Sequence, residues 1–98
     1  MASRTLTTSA IELLPENRLR KSFVMQNEDS SIACFLKFER PGKTTVSATD
    51  HDHRLGPGGA LAVNNTTDGI EAIQSRVTII AASGTPRVSF FETEDIRR

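Results

Sequence analysis

Four side chains with metal-ligating chemistry stand in a row at Asp50, His51, Asp52 and His53. In an extended chain alternate residues share a side, so His51 and His53 would turn two imidazoles toward one cation. They are the only histidines, and Cys34, the single cysteine, lies elsewhere in the chain. Remote carboxylates or symmetry-related copies would have to complete a tetrahedral shell. The stretch therefore reads first as a solvated loop, with a metal or symmetry-axis site as the competing reading. Arg40 to Thr45, RPGKTT, ends like a phosphate-binding loop, in which a glycine-rich backbone cradles phosphate oxygens and a lysine neutralises them. That loop needs a glycine five positions before Gly42, where this chain has Lys37, and a helix after it, which the sequence does not offer. A plain turn between strands is the expected form. Cys34 falls in an apolar alternating series, where a thiol packs and does not react. Asn64 and Asn65 each open an Asn-x-Thr sequon. The polar start MASRTLTTSA lacks the apolar stretch of a secretory signal, so paired turn-forming asparagines are the expectation there. Glu92, Glu94 and Asp95 beside Arg97 and Arg98 read as a solvated charged end. No catalytic residue, metal or cofactor is assigned, and the chain is not expected to be an enzyme.

The elements around these residues are strands. Five Val, seven Ile and eleven Thr are β-branched, and no long stretch carries 3.6-residue apolar periodicity. Arg20 to Gln26 alternates, and the turn residues Asn27 to Ser30 make it the first half of a hairpin with Ile32 to Phe38. Lys43 to Thr49 reads as a polar edge strand anchored by Val46, and Asp50 to Arg54 as a charged loop. Leu61 and Val63 mark a short strand after the turn at Gly56 to Gly59, and Asp68 with Gly69 marks another turn. Arg76 to Ala82 and Val88 to Glu92 read as a terminal hairpin turned at Ser83, Gly84 and Thr85. Ser9 to Glu12 has the form of a helix-capping box, but Pro15 leaves space for only about one turn, so the start is expected to be extended. Short strands at this spacing predict an all-β fold: a small antiparallel β-sandwich, jelly-roll-like, over residues 20–98, with an extended N-terminal arm over 1–19. The expected core is Phe23, Met25, Ile32, Cys34, Leu36, Phe38, Val77, Ile79, Val88 and Phe90.

Composition removes several functions. The 98 residues suit one domain. Twelve basic and twelve acidic side chains sum to no net charge, so nothing draws in nucleic acid or anionic lipid. No apolar run approaches the ~20 residues of a membrane span. One cysteine excludes an intrachain disulfide and fits a reducing compartment of synthesis. Tyr and Trp are absent, and with them the usual stacking platforms for sugars and single-stranded nucleic acid. A core this small gains from self-association or a partner.

Three stretches carry a likeness: LLPENRLRKSFVMQN from Leu13 to Asn27 with the isoleucine-led strand after it, LGPGGAL from Leu55 to Leu61, and VTIIAASGTPRVSFFE from Val77 to Glu92. In order and spacing the chain resembles a group of small bacteriophage virion proteins, over about four fifths of its length. It departs where relatives end the second strand in an aromatic residue, Ile or Val, and Gly; here Phe35 to Phe38 extends it. The resemblance implies a capsid decoration, or cement, protein on the capsid exterior, made in the host bacterial cytoplasm and bound to the major capsid protein as a homotrimer. A tail- or fibre-associated structural or receptor-binding module is the alternative, and a stand-alone oligomeric β protein the plainest reading. An arm without internal hydrogen-bond partners gains most by pairing with a neighbour's strand edge. Arg4, Thr5, Leu6, Thr7, Thr8, Ile11, Leu13, Leu14 and Arg18 are therefore the expected partner-binding residues.

Overall fold

A computed structural model describes residues 2–17, 20–39, 43–64 and 75–94, and among them there are strands and no helix. The strands are β1 (Ala2–Thr5), β2 (Ile11–Leu14), β3 (Arg20–Asn27), β4 (Cys34–Glu39), β5 (His53–Leu55), β6 (Ala60–Asn64), β7 (Arg76–Ala81) and β8 (Arg87–Glu94). They form two four-stranded antiparallel sheets in the orders β1-β8-β3-β6 and β2-β7-β4-β5. The pairs β1–β8, β2–β7, β3–β6 and β4–β5 are the rungs of one long ribbon. Wrapping that ribbon adds the contacts β8–β3 and β7–β4, and the result is a jelly-roll β-sandwich.

Alternation decides which side chains meet between the sheets. Phe23, Met25, Cys34, Leu36, Val77, Ile79 and Val88 are buried there as expected, while Phe38 and Phe90 are partly buried at the margin. The rings of Phe23 and Phe38 meet edge to face across the sandwich, 6.0 Å between centroids. Ile32 stands outside this core, because β4 begins only at Cys34. Its side chain lies over Gly84, whose φ of 57° requires glycine and where an added Cβ would come within 2.9 Å of Ile32 Cδ1.

Neither expected hairpin exists, because β3 and β4, like β7 and β8, lie in different sheets. After β3 the buried Asn27 donates to the carbonyls of Ile32 (2.7 Å), Leu55 and Gly56 (3.2 Å each) and accepts from Asp29 N–H. Asp29 then accepts from Ser31 and Ile32 N–H, so consecutive side-chain turns lift the chain to the other sheet. Between β7 and β8, Ala82 donates to Ala33 O and Pro86 O accepts from Leu6 N–H, at 3.0 and 2.8 Å. Loops, not a hairpin ladder, satisfy these backbone groups.

The expected strand from Lys43 to Thr49 is also absent. Thr45 N–H donates to both carboxylate oxygens of Glu39, at 2.9 and 3.1 Å, so a side chain takes the place of a neighbouring strand. The edge beside β4 belongs instead to β5, inside the stretch read as a charged loop. The N-terminal residues are not a free arm: β1 pairs with β8 and β2 with β7, giving each sheet one edge strand. No helix among the described residues is long and apolar enough to cross a membrane.

Candidate functional site

One end of the sandwich is closed by a buried arginine that the sequence does not announce. Arg20 opens β3, and its guanidinium donates to Glu92 Oε2 (2.5 Å), Ser75 O (2.8 Å) and Pro15 O (2.6 Å) while lying over the Phe23 ring. Glu92 is therefore half of an ion pair and not part of a solvated tail. Residues 95–98 of that expected tail lie outside the described residues.

The outer face of the β2-β7-β4-β5 sheet is polar and covered. Register places Glu12, Thr78 and Lys37 in one row and Arg76 beside Glu39 in the next, and residues 43–52 fold across both. Arg76 pairs with Glu12 at 2.8 Å and reaches Lys43 O and Thr44 Oγ1 in the covering segment. Lys37 pairs with Asp50 at 2.8 Å and donates to Thr45 Oγ1. What remains of RPGKTT among the described residues is thus held by an arginine and a carboxylate of the protein itself; 40–42 lie outside them. Burial acts on Glu39 to raise its carboxyl pKa. Hydrogen bonds from Thr45 and Thr78 and the charge of Lys37 outweigh that and hold it below the ordinary 4.5.

A folded-state carboxylate held below its unfolded value stabilises the fold above the unfolded value and loses that contribution as pH falls through the folded one. Stability should accordingly fall below pH 4.5, and Glu39→Gln should remove part of that slope while costing about 1–3 kcal/mol at neutral pH. Urea midpoints measured across this range check it; an unchanged slope would show that Glu39 contributes nothing to acid sensitivity.

The Asp-His stretch does not converge on a point. His51 packs at a tilt against Phe35 of the outer face with centroids 4.6 Å apart, and its Nδ1 lies 3.1 Å from Ser47 O. His53, in β5, makes a T-shaped contact with Phe38, which packs against the core. The two imidazoles diverge because residue 51 is outside the strand, so the expected period of two does not reach it. Asp50 is committed to Lys37, and Asp52 accepts Phe38 N–H where the β4–β5 ladder ends. Among the described residues no three His, Cys, Asp or Glu side chains are grouped to hold a metal ion. Cys34 is fully buried, and burial pushes its thiol up to about 11.

The outer face of the β1-β8-β3-β6 sheet is different in kind. Register aligns Ser3, Ser89, Gln26 and Ala60 in one row, Phe91, Val24 and Ala62 in the next, and Ser22 beside Thr93 beyond. Among the described side chains of this face the charges are Arg87 and Glu28, opposite each other at the rim and 3.8 Å apart. Phe91 is 43% exposed and is the large exposed hydrophobic residue of the described structure. Away from that rim pair the described side chains of the face are uncharged.

The expected partner-binding residues divide between the core and the surface. Leu6, Leu13 and Leu14 are buried in the protein's own core and Ile11 packs against it, so these apolar side chains are not available to a partner. Arg4, Thr5, Thr7 and Thr8 are exposed; Arg4 reaches Glu12 O across the open side of the sandwich, and Thr7 O accepts from Ala81 N–H. Arg18 lies outside the described residues, as does Asn65, while Asn64 closes β6. Alternation in β3 and β8 carried the signal for the outer face of the β1-β8-β3-β6 sheet, but only pairing shows that the two strands share it. Comparison with protein-family models, with curated proteins and with solved structures finds no match to this chain.

Proposed function

We propose that this chain is a structural protein of a bacteriophage virion, a decoration subunit that binds the major capsid protein from outside the head after synthesis in the host cytoplasm. The observation that carries the reading is the outer face of the β1-β8-β3-β6 sheet, whose described side chains are uncharged away from the Arg87–Glu28 pair at its rim, in a chain of which 24% is charged. Surfaces kept free of charge around an aromatic centre are the ones that dock on other proteins, because no ion has to be desolvated on contact. Jelly rolls host many activities, so the fold is compatible with the role and does not select it. The order and spacing of the strand and turn motifs, which resemble small virion proteins, add the identity of the partner.

Cryo-electron imaging of particles of the encoding phage, with and without this protein, tests the proposal. The expected result is regular extra density on the head that disappears with the protein. Phe91→Asp should leave the fold intact, since the side chain already faces water, and lower head binding by about tenfold or more. Intact heads that never carry the protein would overturn the reading, and density confined to the tail would replace it with a tail or fibre role.

A further inference from the structure

Among the described residues the four outer strands of the sandwich are not equally protected against pairing. Strand β2 carries Glu12, a register shift between Glu12 and Leu14, and Pro15 at its end. Strand β5 has three residues, with Asp52 before it and Arg54 within it. Strand β1 carries Arg4, tied down on Glu12 O. Charges, bulges, prolines and shortness are the devices that keep sheet edges from joining. Strand β6, Ala60–Asn64, sequence ALAVN, has none of them. It stands at the end of its sheet, with no described strand beyond it.

The hydrogen-bond phase of β6 says which of its backbone groups face outward. Asn27 N–H donates to Gly59 O at 2.8 Å, in line with the register Gln26–Ala60 and Met25–Leu61. Bonded and non-bonded pairs alternate in an antiparallel ladder, so Leu61 and Val63 turn their N–H and C=O toward β3. Ala60, Ala62 and Asn64 turn theirs away from the sheet. Their uncharged strand carries no like charges to oppose in a second copy, and the chain as a whole has no net charge.

We infer that β6 joins β6 of a second copy, antiparallel about a two-fold axis at Ala62, so that two β1-β8-β3-β6 sheets become one continuous sheet. Ala62 then faces Ala62 of the other copy, and Ala60 faces Asn64. Such an axis runs perpendicular to the sheet and keeps the two outer faces on one side. The row Phe91, Val24 and Ala62 is continued across the axis by its own copy, which doubles the apolar stripe. This two-fold pairing stands in place of the threefold assembly implied by the resemblance, and it does not depend on the virion role.

Sedimentation velocity on the full chain, with interference detection because Tyr and Trp are absent, should show a monomer–dimer equilibrium between about 1 and 100 µM. Ala62→Pro removes an outward donor without touching the β3 ladder, and Ala62→Lys sets two like charges face to face at the axis. Each should keep the strand signature in circular dichroism and raise the dimer dissociation constant about tenfold or more. Residues facing each other in a bonded pair have Cα atoms about 5.5 Å apart, within disulfide reach. Mild oxidation of Ala62→Cys should therefore give covalent dimers much faster than Thr5→Cys on the opposite edge, with Cys34 buried in both. A monomer across the whole range, a trimer, or equal crosslinking from both positions overturns the pairing.

Discussion

A chain lacking residues 1–14 should fail to fold. Those residues supply an edge strand to each sheet and put Leu6, Leu13 and Leu14 into the common core. Each leucine contributes about 1.5–3 kcal/mol on burial, and the three together rival the roughly 5–15 kcal/mol that holds a domain of this size folded. Their loss also strips the cover from one side of β8 and of β7, exposing backbone groups now paired at Leu6–Pro86 and Thr7–Ala81. Leu6→Ala is the milder form of the same experiment, and about 2–5 kcal/mol of destabilisation is expected because the side chain is wholly buried. Chemical denaturation of the point variant and circular dichroism of the truncated chain make the measurement. A truncated chain that keeps the strand signature and a cooperative transition would show that the N-terminal strands are an accessory arm after all.

Arg20→Met should cost about 3–5 kcal/mol, enough to lower the melting temperature by roughly 12–25 °C. The guanidinium is buried and serves Glu92, Ser75 O and Pro15 O in three directions, so its loss leaves two carbonyls and a half-buried carboxylate without their donor. Arg20→Lys should recover little of the loss, because a single ammonium on a flexible stem cannot reproduce the planar fork. Since Glu92 keeps some exposure to solvent, Glu92→Gln should cost less than Arg20→Met, and the double variant should cost less than the two singles added. Thermal melts of the four proteins give the cycle. An Arg20→Met protein within about 1 kcal/mol of the parent would mean that the carbonyls find water and that the end of the sandwich is not closed by this residue.

What the sequence by itself determined is which residues face inward. Phe23 with Met25, Cys34 with Leu36, Val77 with Ile79, and Val88 are buried because period-two alternation is a local property of an extended chain and needs no partner to be read. The all-β sandwich follows from the same pattern with its turn residues. Pairing was decided only in three dimensions. Asn27 and Asp29 look like hairpin residues, but the carbonyls of Leu55 and Gly56 that bind Asn27 come from a distant part of the chain and send β4 to the other sheet. Lys43 to Thr49 has the composition of a strand and lacks one, because Glu39 and Arg76 satisfy its backbone before any neighbouring strand can. The N-terminal stretch has the composition of an arm and is core, because its leucines meet a surface that exists only after β7 and β8 are in place. The outer face of the β1-β8-β3-β6 sheet was in the sequence as alternate residues of β3 and β8, and the β6 edge as the uncharged run ALAVN. They became a surface and an edge when register set Phe91, Val24 and Ala62 side by side and left nothing described beyond β6. Alternation is encoded by neighbours two apart, whereas strand order is the outcome of long-range contacts competing for the same backbone hydrogen bonds.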